Sequence, residues 1–219
     1  MNQTSFSPLR KKLLWGILAL ILLGNIATAF LSWLRIHSQT GAPLAPSFLF
    51  SKPEGSSVAV YGPAPDFSLT ERSGRVFSKT ELLGKPWIAD FIFTSCPSQC
   101  PVMSLHMRRL QNVFPPQSGF RFVSFTVDPE RDTPQVLSEY ADRYGAEKNR
   151  WFFLTGAKSE INRILKGFFL SSADEPAMHS IRFILVDAQG KIRGYYDSSE
   201  PGALKQLIHD AEILVKKTA

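Results

Sequence analysis

Cysteine is almost missing from this chain: two residues in 219, four positions apart in "CPSQCP", residues 96–101. A disulfide-built scaffold is therefore excluded. One bridge between neighbours i and i+4 is also a poor staple, because the chain-entropy gain of a disulfide grows with the loop it closes. Histidine is scarce as well, with four copies, and the chain contains no internal repeat and no low-complexity tract. Acid is absent from residues 1–35, which carry Arg10, Lys11, Lys12 and Arg35. That local excess makes up most of the formal charge of +6, since residues 61–219 hold 20 basic and 18 acidic side chains. An excess confined to one terminus is not a binding face, so nucleic acid is excluded as a partner.

Charge of either sign is also missing from "LLWGILALILLGNIATAFLSWL", residues 13–34. As a helix these 22 residues would span about 33 Å, against a hydrocarbon core of about 30 Å. Trp15 and Trp33 stand near its two ends, where amphipathic rings prefer the interface. Three basic residues precede the run and one follows, which predicts a cytoplasmic N-terminus and an exported remainder. A cleaved signal peptide is the competing reading, with "ATA" at residues 27–29 as the cleavage site. Continuation of the apolar run through Phe30, Leu31, Trp33 and Leu34 favours a retained anchor. The expected organisation is a cytoplasmic N-terminus over 1–12, an anchor over 13–34, a Pro/Gly-bearing tether over 35–60 and one domain over 61–219.

Within that domain "DFSLT" and "RVFS" flank "ERSG", which reads as a hairpin. "PWIADFIF" is a nearly continuous apolar run, the signature of a strand covered on both faces. A helix over 101–113, a strand over 120–127, a helix over 133–145, the strand "RWFFLTG" and the helix "SEINRILKGFF" follow in turn. "RFILVD" and "KIRGYY" form a hairpin through "AQG", and residues 201–217 close the chain as an amphipathic helix. Strands interleaved with helices and ended by a hairpin predict an α/β sandwich around a central mixed sheet, an order that suits a thioredoxin-like domain.

The two cysteines follow the central strand at once, where such sheets carry their chemistry. With Cys100 in the first turn of a helix, the N-terminus favours thiolate, and i and i+4 on one helical face bring both sulfurs to a point. This serves redox cycling or two-sulfur metal ligation, and a third residue must decide. His37 lies at the membrane edge, His106 is about 240° round the helix from Cys100, and His209 falls on a solvated helix face. His179 precedes a strand whose entry loop, in thioredoxin-like folds, lies against the cysteine loop.

"FTSCPSQCP", "TVDPERDTP" and "MHSIRFILVDAQGKIRGYY", in this order, resemble the Sco/SenC family from about Tyr61 to the C-terminus. The resemblance implies a membrane-tethered thioredoxin fold that binds copper and assists assembly of the copper A centre of cytochrome c oxidase. Its metal pattern falls on Cys96, Cys100 and His179, and the implied partner is oxidase subunit II or a similar copper protein. Soft thiolates suit Cu(I), and an added imidazole extends the set to Cu(II). Zinc lacks a fourth ligand. Met103 and Met107 read as core. Asp128 and Arg131, in "DPERDTP", are candidates for supporting or docking the site, while Asp132 or Thr133 caps a helix.

Asp90 supports a second reading, since it interrupts the apolar strand six positions before Cys96. A buried carboxylate there suits proton transfer in a thiol-disulfide oxidoreductase, with Cys96 and Cys100 as the redox pair. The Cys-x-x-x-Cys spacing and the missing tryptophan and glycine neighbours weigh against a general thioredoxin. Thr94, two residues from Cys96, weighs against a peroxidase. A copper or redox sensor is a third reading. The topology is directly testable: a reporter fused after residue 60 should be active only outside the cytoplasm, and a mature N-terminus at Phe30 would refute the retained anchor.

Overall fold

The computed structural model describes residues 58–168 and 181–218, together with Asn25, Thr28 and Phe30. Those three N-terminal residues are helical, and Thr28 Oγ1 donates to the Asn25 carbonyl at 3.0 Å. Among the described residues no helix is long and apolar enough to cross a membrane; most of the expected anchor, 13–34, lies outside them.

Among the described residues eight strands form one sheet: β1 (Gly62–Pro63), β2 (Ser68–Glu71), β3 (Val76–Ser78), β4 (Trp87–Ile92), β5 (Arg121–Thr126), β6 (Trp151–Thr155), β7 (Arg182–Val186) and β8 (Lys191–Asp197). Four α-helices cover it: α1 (Gln99–Val113), α2 (Pro134–Arg143), α3 (Lys158–Gly167) and α4 (Ala203–Thr218). The spatial order is β1-β8-β7-β4-β5-β6-β2-β3. Strands β4, β5 and β6 run parallel, β7 joins β4 antiparallel, and the β2–β3 hairpin docks antiparallel on β6. The sheet is therefore mixed, as expected, with the early hairpin at the edge beyond β6. The sequence reading missed only β1, a two-residue strand too short to carry a period.

Burial explains the centre. All six residues of β4 are buried, and alternation divides them between two cores. Ile88 and Ile92 face a core shared with Met103, Met107 and Leu110 of α1, Leu137 of α2 and Leu207 of α4. Trp87, Ala89 and Phe91 face the other core, closed by Ile161 and Ile164 of α3 and by Phe67 and Phe77 near the hairpin. Each large apolar side chain so buried contributes roughly 1.5–3 kcal/mol, so β4 tolerates one polar residue among five apolar ones.

Helix ends follow local chemistry. Thr133 caps α2, its hydroxyl accepting the Val136 N–H at 3.4 Å, with Pro134 in the first turn. Gly145 ends the same helix in the left-handed region at φ 66°, where a side chain would be strained. The α1 carboxyl end is held by buried Arg150, whose Nη2 donates to the carbonyls of Gln111 and Phe114.

Candidate functional site at the cysteine loop

β4 ends at Ile92, the chain turns through residues 93–98, and α1 begins at Gln99. The turn is pinned by the Cys96 N–H donating to the Phe93 carbonyl at 3.2 Å. Cys100 sits in the first turn of α1 as expected, whereas Cys96 precedes the helix. The sulfurs are thus not brought together by a shared helical face. They meet because the loop folds back until the Cys100 N–H points at Cys96 Sγ, 3.4 Å away. Both thiols are free and buried, Cys96 at 9% exposure and Cys100 at 1%.

Their environments differ in kind. Burial pushes the Cys96 thiol up, but backbone N–H groups of Cys100, Ser98 and Gln99 and the neighbouring Cys100 thiol outweigh it and hold Cys96 below the ordinary thiol value. Those N–H groups are the unpaired donors of a helix start, which favour thiolate. Cys100 lies deeper, and burial pushes its thiol up to about 12, with the charges of Cys96 and Asp90 adding to the effect. One cysteine is prepared to be an anion and the other to keep its proton.

Asp90 is fully buried, and by strand alternation it belongs to the core that holds the cysteines. Neither of its carboxyl oxygens has a hydrogen-bond partner in ordinary geometry. Its register neighbour on β5, Ser124, accepts the Trp151 Nε1–H at 2.9 Å. Burial raises the Asp90 carboxyl to about 7, a rise that the Ser124 hydroxyl offsets only in part. A buried carboxyl without a partner is rare enough to need a reason.

Asp128 and Arg131 lie in the turn that follows β5, where the Asp128 N–H donates to Thr126 Oγ1 at 3.0 Å. They pair with each other at 3.1 Å, with Arg131 largely exposed, and no described contact carries either to a cysteine. The residue of that motif that does reach the loop is Asp132, which is fully buried and caps nothing. Its Oδ1 accepts Thr94 Oγ1 at 2.5 Å, and its Oδ2 accepts the Thr94 N–H at 3.1 Å and Thr126 Oγ1 at 2.5 Å. One carboxylate therefore ties the chain two residues before Cys96 to the end of β5. Sequence reasoning took Asp132 as a possible cap. The signal that could have corrected this was a threonine at the end of β5 and another two residues beyond the end of β4, with Thr133 already available for the capping.

His179 lies outside the described residues. Among the described residues no cluster of three or more His, Cys, Asp or Glu is placed to hold a metal ion. His209 is exposed on α4 as expected. His106 is half-buried, its ring edge-on to Phe183 at 6.3 Å between centroids. Met103 and Met107 are core residues, as their spacing suggested.

Comparison with known proteins gives a consistent result. Residues 61–215 match the SCO1/SenC family. The "SCO1 protein homolog" of Bacillus subtilis is 34% identical over 153 residues, covering 67% of this chain and 79% of that protein. The structure of BsSco, described as a member of the Sco family of cytochrome c oxidase assembly proteins with a disulfide switch, superposes with a TM-score of 0.64 at 31% identity, covering 74% of this chain and 99% of that one. Yeast Sco1 with copper bound superposes with a TM-score of 0.56 at 25% identity, covering 69% and 90%. These likenesses carry the thioredoxin-like α/β fold.

The asymmetry of the thiols predicts a labelling order. In the reduced chain near neutral pH, limiting iodoacetamide should modify Cys96 at least roughly tenfold faster than Cys100. The preference should persist as pH rises toward the ordinary thiol range, because Cys100 keeps its proton until about 12. Peptide mass spectrometry reads the ratio, and equal labelling would refute the asymmetry.

Proposed function

The chain belongs to the SCO1/SenC family, and on that premise we propose that it is a membrane-anchored copper-binding assembly factor that supplies copper to, or keeps reduced, the dinuclear copper A site of cytochrome c oxidase. One observation carries the reading: two unbridged cysteines at a helix start, adjacent through the Cys100 N–H and Cys96 Sγ contact, with Cys96 disposed to be thiolate. Two soft sulfurs suit Cu(I), and His179 is the imidazole that extends the set to Cu(II). Copper is cargo here. The protein's part is to hold the loop rigid through Asp132, to keep the pair reduced and half-sheltered from water, and to release the metal to a subunit II-like acceptor. The charge-free run 13–34, with basic residues on its N-terminal side, supports a single-pass anchor that leaves the domain on the exported side.

Asp90 favours a second reading, thiol-disulfide exchange on an exported protein. The Cys96 thiolate attacks a disulfide sulfur of the substrate. Cys100 then gives up its proton and its sulfur attacks Cys96, closing the Cys96–Cys100 bond as the mixed disulfide breaks; the two substrate thiolates so released take their protons from water. A carboxyl raised to about 7 beneath Cys100 is suited to accept that proton.

Titration of the reduced protein with Cu(I) and Cu(II) tests the first reading. Cys96→Ser or Cys100→Ser should abolish tight Cu(I) binding, since a hydroxyl replaces a soft sulfur. His179→Ala should weaken Cu(II) binding severely and Cu(I) binding mildly, while His209→Ala, on an exposed helix face, should change neither. Unaltered Cu(II) binding by His179→Ala would remove His179 from the site. Asp90→Asn separates the second reading: slower disulfide exchange at nearly unchanged copper affinity supports proton transfer, whereas equal loss of both assigns Asp90 to folding.

A further inference from the structure

The register of the three parallel strands brings one polar side chain of each together behind the cysteines. Asp90 of β4 stands opposite Ser124 of β5, and Ser124 stands next to β6, which begins with Trp151. Alternation puts Asp90, Ser124 and Trp151 on the same face of the sheet, with Phe122 and Phe153 of the core that holds the cysteines. All three are buried, at 0%, 1% and 0% exposure. Adjacent strands lie about 5 Å apart, and Ser124 comes close enough to the Asp90 carboxyl to lower its proton affinity, though out of line for an ordinary hydrogen bond. Among the described residues no hydrogen bond joins Asp90 to either cysteine.

The Trp151 bond decides what Ser124 can do. Trp151 Nε1–H donates to Ser124 Oγ at 2.9 Å. An indole N–H can only donate, so Ser124 is the acceptor there, and its single hydroxyl hydrogen is left over. The ladders to β4 and β6 take up the backbone groups beside it, while both Asp90 oxygens lack a partner. We propose that Ser124 and Trp151 are positioning residues for Asp90: the indole fixes the Ser124 oxygen, and the hydroxyl hydrogen turns onto the Asp90 carboxylate once the carboxyl is ionised. Each bond of such a chain strengthens the next. The use of this chain rests on the thiol-disulfide reading, in which Asp90 takes the Cys100 proton. Only an ionised carboxyl can take it. A donor that stabilises that form offsets the burial that otherwise holds the carboxyl protonated.

The titratable groups around that core are Cys96, Cys100 and His106 at α1, Tyr140 and Tyr144 at α2, Tyr196 on β8 and Asp210 on α4. The charge of Asp90 acts on Cys100 and Tyr140. Oxidising the full chain to its Cys96–Cys100 disulfide, in zwitterionic detergent, removes both thiols from the titration. Burial holds Tyr140 and Tyr196 far above the ordinary phenol range, and Asp90→Asn identifies the Asp90 step among those that remain. Nitrogen–proton NMR should show the Trp151 indole resonance moving with a midpoint of about pH 7 and standing still in Asp90→Asn. The Trp87 indole, in the opposite core, is the internal reference. Carboxyl-carbon NMR reads Asp90 itself, and Ser124→Ala should raise its midpoint by about one pH unit. A Trp151 resonance indifferent to Asp90, or an unmoved midpoint in Ser124→Ala, overturns the proposal. Both signals together with parent-rate disulfide exchange by Asp90→Asn support the positioning and sink the thiol-disulfide reading.

Discussion

Strand β4 is shut off from water along its whole length, and the rest of the domain is arranged around that fact. A strand buried on both faces needs a sheet neighbour on each side and a helical layer above and below. Strands β5 and β7 supply the first, and helices α1, α2 and α4 on one face with α3 on the other supply the second. The chain leaving such a strand must surface at its carboxyl end. The two cysteines sit in that exit and in the first turn of the helix that follows.

The exit is held by charge as well as by packing. A fully buried Asp132 with three donors from Thr94 and Thr126 closes the gap between the ends of β4 and β5. Hydrogen bonds to a buried carboxylate are worth more than those between neutral groups, and each contributes roughly 1.5–3 kcal/mol. The loop that presents Cys96 is therefore anchored two residues upstream of the sulfur. A site that must accept and release a soft metal, or open and close a disulfide, gains from such a fixed base, because little ordering remains to be done when the ligand arrives.

Depth then separates two chemically identical side chains. Cys96 lies nearer the surface with helix-start N–H groups around it, and Cys100 lies under it with a partnerless carboxyl, Asp90, within electrostatic reach. The asymmetry suits a redox pair, which needs one ready nucleophile and one protected thiol, whereas a copper thiolate pair needs both sulfurs deprotonated. The buried aspartate is the feature that copper binding alone does not require. It costs stability that the apolar residues of β4 offset, which gives the redox reading a physical basis inside the same fold.

Much of this was legible in the sequence because it follows from local periodicity. The continuous apolar run at 86–93, the helical spacing in 133–145 and the hairpin around "AQG" each specify an element from neighbours alone, and the structure has all three. The cysteine pair, its place after the central strand and the buried character of Asp90 were readable for the same reason. What required the tertiary structure was contact between residues distant in sequence. The meeting of the sulfurs comes from a loop folding back and not from helical spacing, the Asp132 clamp spans 38 residues to Thr94, and Asp128 and Arg131 turn toward each other. Periodicity decides which face of an element is buried; which carboxylate meets which hydroxyl across a core is decided only when the elements pack.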